Sequence, residues 1–223
     1  MTKEEKKYFE KIDRDSQNDP IIRIKAAADY INGELLKAFN TPRGINADGM
    51  SYILSALTGV AVADIAKQEE VAMILEGSLT SRNRIGTDAG YFYMGETVDK
   101  YLYNSPMSAI CVFEFIYTQK KGEKNLPDLN MLLSNNASKI GNPDVRVWAE
   151  SKNPYQEIKP AFQTYKSFKT KLAPFKLNNA EVVAAFVMAL GFAVANFESV
   201  FPKNLNCVEM VLSTAIFYSH MEV

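Results

Sequence analysis

At 223 residues, with 47% hydrophobic and 23% charged side chains, the chain has ample apolar material for a core and the charge of an ordinary globular surface. A formal net charge of −1 excludes a global field that would recruit nucleic acid or anionic membrane. Cys111 and Cys207 each sit inside an apolar pattern, which suits buried free thiols in a reducing compartment better than a disulfide framework.

The first residues, MTKEEKKYFEKIDRD, are charged and lack the apolar stretch of a signal peptide, so a cytoplasmic protein is expected. Tyr8, Phe9 and Ile12 offer a short helical stripe in residues 1–18. These form a frayed segment set apart from one helical domain over 19–223. Asp19-Pro20 combines a capping side chain with a first-turn proline, and Ile21, Ile24, Ala28, Ile31, Leu35 and Phe39 follow at helical spacing. Gly33 weakens that helix by roughly 1 kcal/mol relative to alanine. Residues 40–44 break it. Asn46 or Asp48 caps the next helix, which runs to about Gln68, with 69–76 continuing it or starting a short one. Gly77 is its stop.

Residues 77–90 read as a loop carrying Arg82 and Arg84. Tyr91-Phe92-Tyr93 follows, with a brief strand there as the alternative and helix from about Met94 as the expectation. Ser105-Pro106 opens a helix to 119, and residues 119–124 form an exposed turn. Leu126-Pro127 opens a helix that fades at Asn135-Asn136, and Asn142-Pro143 opens a short one containing Trp148. Near 155–172, Ile158, Phe162, Tyr165 and Leu172 make one apolar stripe. Phe168 and Lys159, Lys166 and Lys169 fall off it, and Pro174 ends the helix.

Glu181–Phe201 is the stretch around which the chain is organised. Val182 to Ala195 holds no polar side chain, so every face must be covered. Asn178 or Asn179 caps its start and Pro202 its end. The apolar run is short of the roughly 20 residues a bilayer requires, so a buried core helix is expected rather than a membrane span. A last helix, about 205–220, is also largely apolar. Gly59–Ile65 (GVAVADI) resembles Gly191–Phe197 (GFAVANF), and Ser55, Gly59 and Ala63, like Ala185, Ala189 and Ala193, place small residues four apart. Small residues at that spacing let helix axes approach closely, so the helices near 50–67 and 181–201 are expected to be neighbours. No strand series with period-two alternation is evident. The class is therefore all-α: a compact bundle of about 7–9 helices around those two.

Motifs for chemistry are sparse. There is no P-loop and no GxGxxG, and His220 is the single histidine, which removes HExxH zinc sites and paired Glu-x-x-His di-iron sites. Two separated cysteines do not make a four-thiolate zinc site. No metal and no cofactor is expected. His220 shares a loose face with Glu209 and Ser213 and reads as a solvated edge. Among the carboxylates, Glu96 and Asp99 are three apart, while Asp64 and Glu114 interrupt apolar helices and need partners. Converging, the four would suit a Mg²⁺ ion. Otherwise they pair with Arg82, Arg84 or a tyrosine hydroxyl and serve the fold. Arg82 and Arg84 beside Tyr91 have donors suited to an anion.

Charge is uneven. Residues 26–118 carry six Lys/Arg against eleven Asp/Glu, and residues 119–176 carry eleven against five. The two regions can dock on each other or face different partners, with a solvated lysine surface as the simplest outcome. The lysines and aromatics of 155–172 do not favour a nucleic-acid or membrane partner, because the aromatics mostly fit a core stripe. The function expected is that of a non-enzymatic cytosolic helical protein acting by macromolecular interaction, with another protein or with itself as a homodimer. Four nearly all-apolar helices are more than one chain of this size readily covers. The alternative is a small-molecule or phosphate-ligand binder or hydrolase whose inter-helix pocket is lined by Asp64, Arg82, Arg84, Tyr91, Glu96, Asp99 and Glu114.

Overall fold

Side-chain caps decide where most of the helices start. The computed structural model describes residues 2–42, 44–121, 126–147, 153–201 and 206–223. Within them the chain forms α1 (Lys3–Asp15), α2 (Ile21–Phe39), a hairpin of β1 (Asn40–Thr41) and β2 (Gly44–Ile45), α3 (Ala47–Leu75), a second hairpin of β3 (Arg84–Thr87) and β4 (Gly90–Tyr93), α4 (Glu96–Leu102), α5 (Ala109–Lys121), α6 (Leu129–Ala137), α7 (Pro154–Leu172), α8 (Asn179–Phe197) and α9 (Cys207–Ser219). An all-α bundle of nine described helices results. Thr2 and Glu5 form a reciprocal capping box on α1, and Asn178 and Glu181 form another on α8. Asp19, Asn46, Asp128, Asn153 and Asn206 each accept an orphan backbone N–H at the start of α2, α3, α6, α7 and α9. Gly77, just past the end of α3, has φ +78°, the left-handed conformation that lets the chain turn away there.

The centre is built from α3, α8 and α9. α3 packs on both of the others and on α7 and α4, while α8 is flanked on its remaining sides by α5 and α2. From Val182 to Ala195 every residue of α8 is buried except Phe192, which is half-buried. Each fully buried Val, Leu, Phe or Met side chain there contributes roughly 1.5–3 kcal/mol. By length and composition both α3 and α8 are apolar enough to cross a membrane, and most of each is covered by the rest of the bundle.

The two apolar helices are neighbours, as their small-residue stripes imply, but the closest approaches involve other partners. A Cβ at Gly59 would lie 2.4 Å from the Ala215 carbonyl oxygen and 2.6 Å from Tyr218 Cβ, so that glycine admits α9. A Cβ at Gly191 would lie 2.9 Å from Ile116 Cγ2, which places α5 against α8. Asn32 Nδ2 donates to the Ala189 carbonyl at 3.2 Å, bringing α2 onto the alanine stripe.

Several local expectations change. The segment expected to be loop and then helix forms β3–β4, closed by the two-residue turn Asp88-Ala89, and α4 starts only at Glu96. Residues 105–108 make a turn, with Ser108 N–H donating to Ser105 C=O, before α5 begins at Ala109. Phe168 is buried, not off the core stripe: its ring meets Phe186 edge-on at 6.1 Å. The charged first segment is helical as α1. It is tied down by buried Ile12, by Phe9 edge-on to Phe175 at 5.0 Å, and by an ion pair between Asp13 and Lys176. Trp148 and Pro202 lie outside the described residues. The acidic and basic regions do meet: Lys169 binds Asp64 at 2.8 Å and Lys171 binds Glu34 at 2.9 Å.

Gly59→Ala is expected to lose roughly 1–3 kcal/mol in urea denaturation, because its methyl group meets backbone atoms. Gly33→Ala, with nothing within 4 Å of the new Cβ, is expected to gain about 0.5–1 kcal/mol. Equal effects at the two sites would contradict the assigned close approach.

Candidate functional site

Three carboxylates in the second half of α3 are matched from outside it: Asp64 by α7, Glu69 by α4, and Glu70 by Arg82, which precedes β3. Asp64 accepts the Tyr165 hydroxyl at 3.0 Å, the Lys169 ammonium at 2.8 Å and the Gln68 amide at 2.6 Å. Burial, together with the Asp64 charge, pushes the Tyr165 hydroxyl far above its ordinary pKa. Glu69 accepts Tyr101 at 2.6 Å and Lys100 at 2.7 Å. Burial alone would raise Glu69, but these two partners outweigh it and hold the carboxyl below its usual value. Buried Glu70 takes the Arg82 Nε–H at 2.5 Å, and the Arg82 guanidinium lies 3.6 Å over the Tyr93 ring. Asp64 and Arg82 therefore already have structural partners.

The other expected residues are distributed rather than gathered. Arg84 and Tyr91 face each other across the β3–β4 hairpin, the guanidinium 4.5 Å from the ring. Glu96 is exposed in the first turn of α4, where the helix dipole favours a carboxylate. Glu114 is half-buried on α5. Asp99 differs from all of these, because it lines a cavity.

That cavity, about 190 Å³, lies between α4, α6 and α9. Met94, Leu133, Ile140, Ile216 and Phe217 form its apolar wall, and Asp99, Tyr103, Asn136 and His220 bring polar groups to it. His220 is not a solvated edge; it is 9% exposed. The β4 strand holds it, with the Tyr93 N–H donating to the His220 carbonyl at 2.7 Å and His220 Nδ1 lying 2.8 Å from the Tyr93 carbonyl. A carbonyl only accepts, so Nδ1 carries the proton and the neutral ring keeps a free lone pair on Nε2. Burial lowers the His220 pKa, against a weaker opposing pull from the Tyr93 carbonyl and the Asp99 charge.

Asn136 is 3% exposed, and its Nδ2 donates to the Leu132 carbonyl at 2.8 Å. Its Oδ1 is buried without a hydrogen-bond partner among the described residues. Burial first and the neighbouring Asp99 carboxylate second raise the Tyr103 pKa. Two wider depressions mix apolar lining with exposed charges. One, of about 350 Å³, includes Lys159 and Glu222, and the other, of about 420 Å³, includes Lys25, Asp29 and Lys120.

Of the seven residues expected to line a pocket, Asp99 alone reaches this cavity, and Tyr91 borders the 350 Å³ depression. Sequence reasoning missed Asn136 and His220. Asn136 reads as the end of a fading helix, and His220 follows an apolar run that could have signalled burial. Comparison with protein-family models, with characterised proteins and with solved structures finds no significant match.

A buried neutral histidine gives a signed pH dependence. As pH falls below 6.5, the ordinary histidine value, the unfolded chain takes up a proton that folded His220 resists, so stability is lost in that window. By NMR the imidazole is expected to titrate below 6.5, and His220→Asn is expected to shrink the acid-side loss of stability. A midpoint at or above the ordinary value would contradict this burial.

Proposed function

We propose that this chain binds a small, largely apolar ligand in the cavity between α4, α6 and α9. One observation carries the proposal: Asn136, whose buried Oδ1 has no partner among the described residues, lines the same largely apolar cavity as His220. Buried acceptors are ordinarily satisfied, and an apolar recess with a few convergent polar groups is the usual form of a small-molecule site. This is the small-molecule alternative of the sequence, with a different polar set: Asp99 is retained, and Tyr103, Asn136 and His220 replace the arginines and the remaining acids.

Single-ring fragments are expected to shift the NMR signals of Ile216 and Phe217 with Kd of ~1 mM or tighter. Leu133→Trp, at a half-buried position on the wall, is expected to abolish those shifts while the protein stays folded. Shifts that persist in a folded Leu133→Trp protein would place the binding elsewhere.

A second reading, macromolecular interaction, has its own support in an apolar groove where α2, α5 and α8 meet. Ile21, Met107 and Phe115 are 46%, 37% and 57% exposed, and they rim a floor of Ile24, Val112 and Met188. Exposed apolar side chains gathered in one groove are a feature of protein-interaction surfaces. On this reading sedimentation equilibrium shows a mass that rises with concentration from 25.0 kDa toward twice that value, and Phe115→Glu holds it at the monomer. A monomer mass at all concentrations would remove self-association.

A further inference from the structure

Most of the hydrogen-bonding capacity left open on the cavity wall is accepting. Asp99 brings a carboxylate, which when ionised only accepts, and it lies close enough to Tyr103 to raise that hydroxyl's pKa. His220 directs its Nδ1–H to the Tyr93 carbonyl, so a neutral ring has only an acceptor, Nε2, to offer. Asn136 commits one amide hydrogen to Leu132 and keeps the other, and its Oδ1 has no partner among the described residues. No lysine or arginine lines the cavity among the described residues, and Asp99 supplies one formal negative charge. A carboxylate or phosphate ligand would meet the Asp99 charge with no lysine or arginine on the described wall to offset it. An N–H-bearing cation would find both a counter-charge and lone pairs.

Size sets the remainder of the ligand. An apolar cavity of about 150 Å³ holds a benzene ring. At about 190 Å³, the space between α4, α6 and α9 takes one ring and a short chain. Leu133, Ile140, Ile216 and Phe217 give that ring apolar contacts, and Asp99 and His220 lie on the same cavity.

We propose that the cavity takes a primary ammonium carried by a single-ring apolar body, its N–H groups directed to the Asp99 carboxylate and to His220 Nε2. An ammonium has three donors and no acceptor, so it matches two lone-pair-bearing groups that lack a donor between them. Asp99 and His220 are here recognition residues, and Asn136 is a buried acceptor at their side. The assignment rests on the cavity being the ligand site.

The test uses the full chain and three probes of similar size: 2-phenylethylamine, 2-phenylethanol and 3-phenylpropionate. Binding is followed at Ile216 and Phe217 by NMR. The amine is expected to bind at least about tenfold more tightly than the alcohol, a difference of about 1.4 kcal/mol. The carboxylate is expected not to bind. Asp99→Asn is expected to erase the preference for the amine. If the alcohol or the carboxylate binds as tightly as the amine, the ligand class is overturned while the cavity remains a site. If no probe shifts Ile216 or Phe217, both the class and the cavity reading fall. A preference that survives in folded Asp99→Asn also overturns the assignment. The wild-type comparison decides even if that variant does not fold.

Discussion

Backbone-to-backbone proximity at Gly59 is the constraint on which the rest of the bundle depends. With no Cβ there, α9 lies directly against α3, and the Ala215 carbonyl and Tyr218 occupy the space a side chain would take. Interiors are close-packed, so such a crossing fixes the axes of both helices rather than merely allowing contact. At Gly191 the close neighbour is a side chain instead: Ile116 of α5 presses into α8. The two similar heptapeptides thus share a physical role, each placing its glycine at a helix crossing, although their partner helices differ. With α9 set by α3, Tyr218 meets Tyr52 at 3.1 Å between hydroxyls, and the residues after α9 reach β4.

Helices that are apolar all round have no stripe to specify their rotation, and polar groups at their borders supply the missing information. Three carboxylates follow one pattern. Asp64 meets Tyr165 and Lys169, Glu69 meets Tyr101 and Lys100, and Glu198, just beyond α8, meets Tyr117 and Lys121. In two of the three the tyrosine and lysine are four apart on one helix, so both point the same way. A partly desolvated carboxylate is costly without partners, so a helix rotated out of register would forfeit both bonds. The contribution of these triads is chiefly to register, since ion pairs near the surface add little net stability.

The helical architecture was legible because its signals are local. The Asn178–Glu181 capping box, the Asn46 cap, Gly77 and the unbroken apolar run from Val182 act within a turn or two of where they stand. The partner of Gly59 was not legible, because a stripe of small residues states that some helix comes close without stating which. The β3–β4 hairpin was hidden for a related reason. Its turn, Asp88-Ala89, is not a strong hairpin signal, and β4 is held partly by the distant segment around Met221. The site suffered most. Asp64 and Arg82 drew attention as charges in apolar or glycine-rich surroundings, yet each is explained by a partner across the fold. His220 was read as a solvated edge and Asn136 as a fading helix end, because their significance lies in a cavity assembled from three helices far apart in sequence.

Core and cavity are connected through α9. One part of that helix contacts Gly59 of α3, while Ile216, Phe217 and the following His220 form part of the cavity wall. Position and polarity of the recess are therefore consequences of how α9 is seated, and α4 and α6, whose Val98, Leu102 and Leu132 join the same core, complete its wall. The most direct test of this account is native-state hydrogen exchange resolved by residue. The account predicts that amides of Val182–Ala195 in α8, of Leu54–Ala66 in α3 and of Val208–Ala215 in α9 exchange together, only through global unfolding, while α1 and α6 open locally and faster. Fast local exchange in α8 or α9, independent of α3, would contradict a single dry core locked by the glycine crossing.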